Sequence, residues 1–271
     1  MPELPEIATL AAQLHSEFCR GVIRDVEVEG EKSLNLPLDQ LRDRLSGREV
    51  SGFRARGKWI LARLDGGGEL ALNLGMGAEV RLSAYAEEPR ERYRLRLFMG
   101  DGRGLFVRFW WFGHLHILDD TDVDHPVRSL GPDALSPDLD FEAFRGLLEG
   151  RRGGIKSFLL NQRRIAGIGN FYCHDILARA GVHPLRKIST LSRSEMEGIY
   201  GWMREILRES LRQGGADYER DLYGRPGGFG RERLWVGYRE GQPCRRCNTS
   251  VEKIRTGSTP GYICPTCQPL D

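Results

Sequence analysis

Four of the six cysteines fall within the last 28 residues, as Cys244-x2-Cys247-x16-Cys264-x2-Cys267. Nothing else in the chain restricts its fold as tightly. Two CxxC knuckles at this separation present four thiolates tetrahedrally to one structural Zn²⁺, with the residues between them forming a β-hairpin. So short a segment has little apolar core, and the metal supplies its folding energy. An iron–sulfur site or two disulfides would fit the same spacing. Cys19 and Cys173 stand alone in apolar-periodic stretches and read as buried thiols.

The rest of the 271 residues separates by period. Ile7, Leu10, Ala11, Leu14 and Phe18 share one helical face. From about 22 to 118 short, partly alternating runs follow one another across Gly-rich or acidic turns, which predicts an antiparallel sandwich or barrel. Helical spacing returns at 140–149, 155–162, 170–180 and 192–213, and Gly214-Gly215 closes the last of these. The expected organisation is α+β. An antiparallel β domain, sandwich or barrel, spans 1–118, a Pro-rich acidic linker 119–138, a helical domain 139–230 and a cysteine-rich ribbon 231–271. Within the helical domain, 214–230 holds six glycines and reads as a flexible loop.

Charge divides unevenly. Residues 1–150 carry a net −7 and residues 151–271 a net +9, and 35 of the 40 basic residues are Arg. A basic half suits a polyanion, and the planar guanidinium suits phosphate; a genome rich in Arg codons would give the same excess. No stretch approaches the ~18 apolar residues of a membrane span. The acidic start, without a basic leader, predicts a cytoplasmic protein, and no membrane partner is expected.

Two further segments bear on chemistry. In Ala166-Gly167-Ile168-Gly169-Asn170, glycines permit close backbone approach, the following helix start offers amides to an anion, and Asn170 adds a side-chain donor. Lys156, Arg163 and Arg164 would surround that site. An ordinary helix–turn–helix corner with a solvated basic face fits equally. At the other end, loss of Met1 would expose Pro2 as a secondary amine, a nucleophile toward electrophilic carbon, with Glu3 beside it to move a proton. Proline and acids are also favoured at any helix start.

Taken together, Met1-Pro2-Glu3-Leu4-Pro5-Glu6, Arg56-Gly57-Lys58-Trp59, Asn73-Leu74-Gly75-Met76, Leu130-Gly131-Pro132, the 155–186 segment and the terminal CxxC pair resemble the formamidopyrimidine-DNA glycosylase/endonuclease VIII family over nearly the whole chain. The resemblance implies a base-excision-repair glycosylase with AP lyase activity. An N-terminal β-sandwich, a helix–two-turn–helix domain and the zinc ribbon would grip double-stranded DNA containing a damaged base or abasic site and rotate that nucleotide out of the stack. A monomer working in the bacterial nucleoid is expected.

By the same resemblance Pro2 attacks the sugar C1′ through a Schiff base, and Glu3 is the acid/base. Lys58 holds a phosphate and supports elimination, and Asn170 binds phosphate. Met76 and Phe112 fill the gap left by the flipped base. The sequence departs from the family at Trp111, where an arginine that reads the opposite base is usual, and at Thr259, where the hairpin arginine is usual; Arg255 on the same hairpin is the expected substitute. The segment 214–230 is shortened. These departures predict non-standard lesion specificity, with a bulky or crosslinked base as one candidate. A damage-specific DNA binder with little catalysis is the alternative.

Overall fold

The computed structural model describes residues 1–84, 93–108 and 111–270. They form two compact units, Met1–Ser129 with Gly214–Gly228, and Leu130–Gln213 with Phe229–Asp271.

The first unit opens with α1 (Leu4–Phe18), whose predicted apolar face is buried. Two four-stranded antiparallel sheets follow. One is ordered β1 (Ile23–Val28), β6 (Leu95–Met99), β7 (Arg103–Arg108), β5 (Glu79–Ala84). The other is β2 (Val50–Arg56), β3 (Trp59–Leu64), β4 (Glu69–Asn73), β8 (His114–Leu118). Alternation explains the pairing: Leu95 and Leu97 of β6 are buried where Arg96 and Phe98 are not. Leu70 and Leu72 from one sheet and Leu105 and Val107 from the other join Leu10 and Leu14 of α1 in a single apolar cluster. Burying each such side chain contributes roughly 1.5–3 kcal/mol. A short helix α2 (Leu38–Leu45), not anticipated from the sequence, adds Leu41 and Leu45 to that core.

The segment 214–228 belongs with this unit, not with the helical domain where the sequence placed it. It has neither helix nor strand, but it is tied along α1. Glu6 Oε1 accepts from Ala216 N (2.9 Å), Gln13 Oε1 accepts from Leu222 N (2.9 Å), and the Tyr223 hydroxyl donates to Glu17 (2.7 Å). Leu222 lies in the sandwich core. Gly215 is required by proximity: a Cβ there would meet Glu6 Cγ at 2.8 Å, and its φ is +100°. The positive φ and the close approach both account for that glycine.

The second unit holds α3 (Phe141–Leu148), α4 (Ile155–Leu160), α5 (Asn170–Ala180) and α6 (Arg193–Arg212), near the expected bounds. Ser192 and Glu195 form a capping box on α6, which satisfies donors at the helix start. Asp175 of α5 is fully buried and accepts from the backbone N–H groups of Trp235 (2.6 Å), Val236 (3.1 Å) and Gly237 (3.0 Å). These bonds anchor the approach to the hairpin β9 (Glu252–Arg255) and β10 (Pro260–Ile263). No helix among the described residues is long and apolar enough to cross a membrane.

Candidate active site and nucleic-acid interface

At the start of α1 only Met1 is exposed; Pro2, Glu3 and Leu4 are buried. Glu3 occupies the N-cap position, and its N–H donates to Glu6 Oε2 at 2.8 Å. Glu6 thus joins the cap of α1 to Ala216 through its two oxygens. The Met1 amino group lies 3.7 Å from Glu219 Oε1. Three acids, Glu3, Glu6 and Glu219, therefore gather around the chain terminus. Sequence reasoning singled out only the first. Glu6 was visible in the opening hexapeptide, but Glu219 carried no local signal.

Lys58 is half-buried in the turn between β2 and β3. Asn73 holds that turn: its Nδ2 donates to Lys58 O (3.1 Å), and its Oδ1 accepts from Gly75 N (3.0 Å). Gly75 in turn touches the backbone of 111–113, where a Cβ would collide with Trp111 O. Met76 N donates to the same oxygen at 2.9 Å. These contacts put Met76, Trp111 and Phe112 on joined loops, exposed by 42%, 63% and 68%. Phe112 has φ +60°, a left-handed conformation that costs a non-glycine residue about 1–2 kcal/mol. Large apolar side chains held out on a strained backbone are expected of a contact surface, not of packing. Phe109 and Trp110, also in this motif, lie outside the described residues.

In the second unit, Gln162 builds the turn before α5. Its Nε2 donates to Leu160 O (3.0 Å) and Ile168 O (2.8 Å), and its Oε1 accepts from Gly167 N (2.9 Å). Gly131 fits against the carbonyls of Arg163 and Arg164. Asn170 begins α5 half-buried, and its Oδ1 is buried without a partner among the described residues. Arg163 is exposed and Arg164 half-buried.

Lys156 corrects the expectation. It is 2% exposed, and Nζ donates to Thr256 Oγ1 (2.7 Å), Thr259 Oγ1 (3.3 Å) and Pro260 O (2.5 Å). An ammonium has three donors, and all three are committed inside the unit, so no phosphate can be gripped there. Burial pulls its pKa down. Arg255, by contrast, is exposed at the end of β9.

The four ribbon cysteines have their sulfurs within 4.8 Å of one another, with Cys244–Cys267 at 4.0 Å and Cys247–Cys264 at 3.3 Å. Backbone N–H groups of Arg246 and Cys267 point at Cys244 Sγ and Cys264 Sγ, each at 3.4 Å. Four sulfurs at this separation fit a tetrahedral ion with Zn–S bonds near ~2.3 Å. Of the two lone thiols, Cys173 is buried and Cys19 only half-buried.

Residues 1–110 match the family model of the formamidopyrimidine-DNA glycosylase N-terminal domain, and residues 130–220 match its H2TH domain. Residues 241–270 match a zinc finger found in FPG and IleRS. The chain belongs to the formamidopyrimidine-DNA glycosylase family. A family member from Roseiflexus sp. is 36% identical, with 99% of this chain and all of that protein covered. Another, from Chloroflexus aggregans, is 33% identical over 100% of this chain and 99% of its own length. The crystal structure of MutM (Fpg) from Thermus thermophilus superposes with a TM-score of 0.89 at 32% identity, over the full length of both chains. A complex of Lactococcus lactis Fpg with DNA containing an abasic site gives 0.88 at 27% identity, over 99% of this chain and all of that one. Membership carries the family's activity: the chain is a bifunctional DNA glycosylase and AP lyase, and its ribbon is a zinc-binding site.

Proposed function

We propose that this glycosylase removes a damaged base from double-stranded DNA, and cleaves the strand, through the imino nitrogen of Pro2. The observation that carries the reading is the burial pattern at the terminus. A single exposed residue, Met1, covers a buried proline and a buried carboxylate, so its removal frees a secondary amine beside Glu3. The amine attacks C1′ of a nucleotide rotated out of the helix. The base departs, and Glu3 protonates the ring oxygen as the sugar opens to an iminium ion. That cation is the electron sink for elimination of the 3′-phosphate. Lys58 holds a phosphate of the same nucleotide, and Asn170 with the amides at the start of α5 holds another. Met76, Trp111 and Phe112 fill the vacated space, where apolar contact offsets lost stacking. Arg255 grips the backbone from the ribbon. One Zn²⁺ on Cys244, Cys247, Cys264 and Cys267 is structural: it fixes the hairpin and takes no part in the reaction. The place of action is the nucleoid.

Trp111 supports a lesion range different from that of a family member with arginine there. Indole offers one donor and a broad face, which fills space without reading a particular partner base.

Borohydride trapping tests the mechanism. Mature protein with a mass-verified Pro2 terminus should form a covalent adduct on abasic duplex. Pro2→Gly and Glu3→Gln should reduce it at least about 100-fold, the scale of a lost acid/base group. An adduct persisting at the wild-type rate in both variants refutes the assignment. On a panel of lesion duplexes, a marked preference for 8-oxoguanine opposite cytosine would refute the altered specificity.

A further inference from the structure

The terminus faces a carboxylate that arrives from 218 residues away along the chain. Glu219 Oε1 stands 3.7 Å from the Met1 amine, and its side chain is only 12% exposed. The segment carrying it is fastened to α1 at Glu6, Gln13 and Glu17, so Glu219 is delivered by a braced stretch of backbone. A largely enclosed carboxylate is costly to keep without a partner, and here the partner is the amino terminus itself.

We propose that Glu219 is the counter-charge and proton acceptor of the N-terminal imino group. The inference rests on Pro2 being the nucleophile. By standard backbone dimensions the Pro2 nitrogen lies roughly 3–4 Å from the Met1 nitrogen. The Pro2 nitrogen therefore lies no more than about 8 Å from Glu219 Oε1, a span that water can bridge for a relayed proton.

The chemistry needs such a group. When the imino lone pair forms the N–C1′ bond and the base leaves with the old bonding pair, nitrogen becomes a cation that still carries one proton. That proton must leave before the nitrogen lone pair can expel the ring oxygen and form the iminium ion. Glu219 takes it, while Glu3 protonates the departing oxygen; the two carboxyl groups do opposite work. On an abasic aldehyde the same N–H proton leaves the adduct formed by addition to the carbonyl.

The environment suits the task. Burial pushes the Glu219 carboxyl up to about 7; the amino terminus pulls it down, and Glu6 and Glu3 push it up. A base whose pKa lies near working pH is best placed to accept and release a proton. Above pH 7 the group is ionised and can accept; below, it already holds its proton.

The test compares wild type, Glu219→Gln and Glu219→Ala, all with mass-verified Pro2 termini. Trapping rates on abasic duplex are read from pH 5.5 to 9, and affinity is read on a duplex with a tetrahydrofuran abasic analogue. Wild type should show a rate that rises with pH through about 7. Glu219→Gln should lose that limb and trap at least about tenfold more slowly at pH 8, with affinity within about twofold; added formate should restore rate to Glu219→Ala. A folded Glu219→Gln with wild-type rate and profile overturns the inference and leaves Pro2 in place. If neither variant folds, Glu219→Asp decides: a slowed rate with the limb retained supports the role, and an unchanged rate overturns it. No adduct from wild type at any pH defeats the Pro2 reading itself, and this one with it.

Discussion

Trp111 carries its indole on a loop whose carbonyl is held by Met76 N, next to a phenylalanine in a left-handed conformation. Stacking of an aromatic on a base is worth about 1–3 kcal/mol and tolerates any base. Trp111→Ala is therefore expected to weaken binding to a tetrahydrofuran duplex by about that amount, equally for A, C, G and T opposite the site. Fluorescence anisotropy on the four duplexes checks this; a loss confined to one opposite base would show that Trp111 reads sequence. Trp111 was legible as a contact residue only through the family resemblance, because it stands where an arginine that reaches DNA is usual. Lys156 was not legible in the same way. A lysine at a helix start looks alike in sequence whether it meets phosphate or a pair of threonines about 100 residues further on, and only the tertiary contact to Thr256 and Thr259 decides.

At the scale of elements, α5 shows why burial and chemistry must be read together. Eight of its 11 residues are buried, including His174 and Asp175. The His174 ring packs edge-on to Tyr238 and Tyr262. Burial, and then the charge of Lys156, lower its pKa to about 3. The sign follows directly. The folded state keeps the imidazole neutral while the unfolded chain takes up a proton below pH 6.5, so stability is intact above 6.5 and falls as pH drops toward 3. At pH 4 the loss is about 3 kcal/mol, at ~1.4 kcal/mol for each pH unit. Urea unfolding at pH 6.5 and pH 4 should show this loss in wild type and its absence in His174→Gln. Asp175, whose carboxyl burial pushes up, titrates in both proteins and cancels in the difference. Equal pH slopes would refute the assignment. The helices and most strands were readable because their apolar spacing is a local property. The segment 214–228 was not, because its attachments to α1 are polar, aperiodic and some 200 residues distant in sequence.

For the whole molecule the near-neutral total of +2 conceals the division between a half at −7 and a half at +9. Affinity for duplex DNA should then depend on salt through the basic half, with log Kd changing by about 0.9 per decade of salt for every phosphate neutralised. The structure separates cations that can contribute from those that cannot. Arg255 is exposed on its hairpin, and Arg255→Gln should lower affinity and flatten the log–log plot by about one phosphate contact. Lys156 has its charge enclosed by three oxygens of its own unit. Lys156→Met should leave the salt slope unchanged while destabilising the unit, because Thr256, Thr259 and Pro260 lose their donor; Thr256 is the buried one, and a buried group left unsatisfied costs about 1–3 kcal/mol. Titrations of the same duplex from 50 to 300 mM KCl, with melting curves alongside, distinguish the two. A folded Lys156→Met whose slope falls by about one would return that lysine to the DNA interface, and an Arg255→Gln with unchanged slope would remove Arg255 from it.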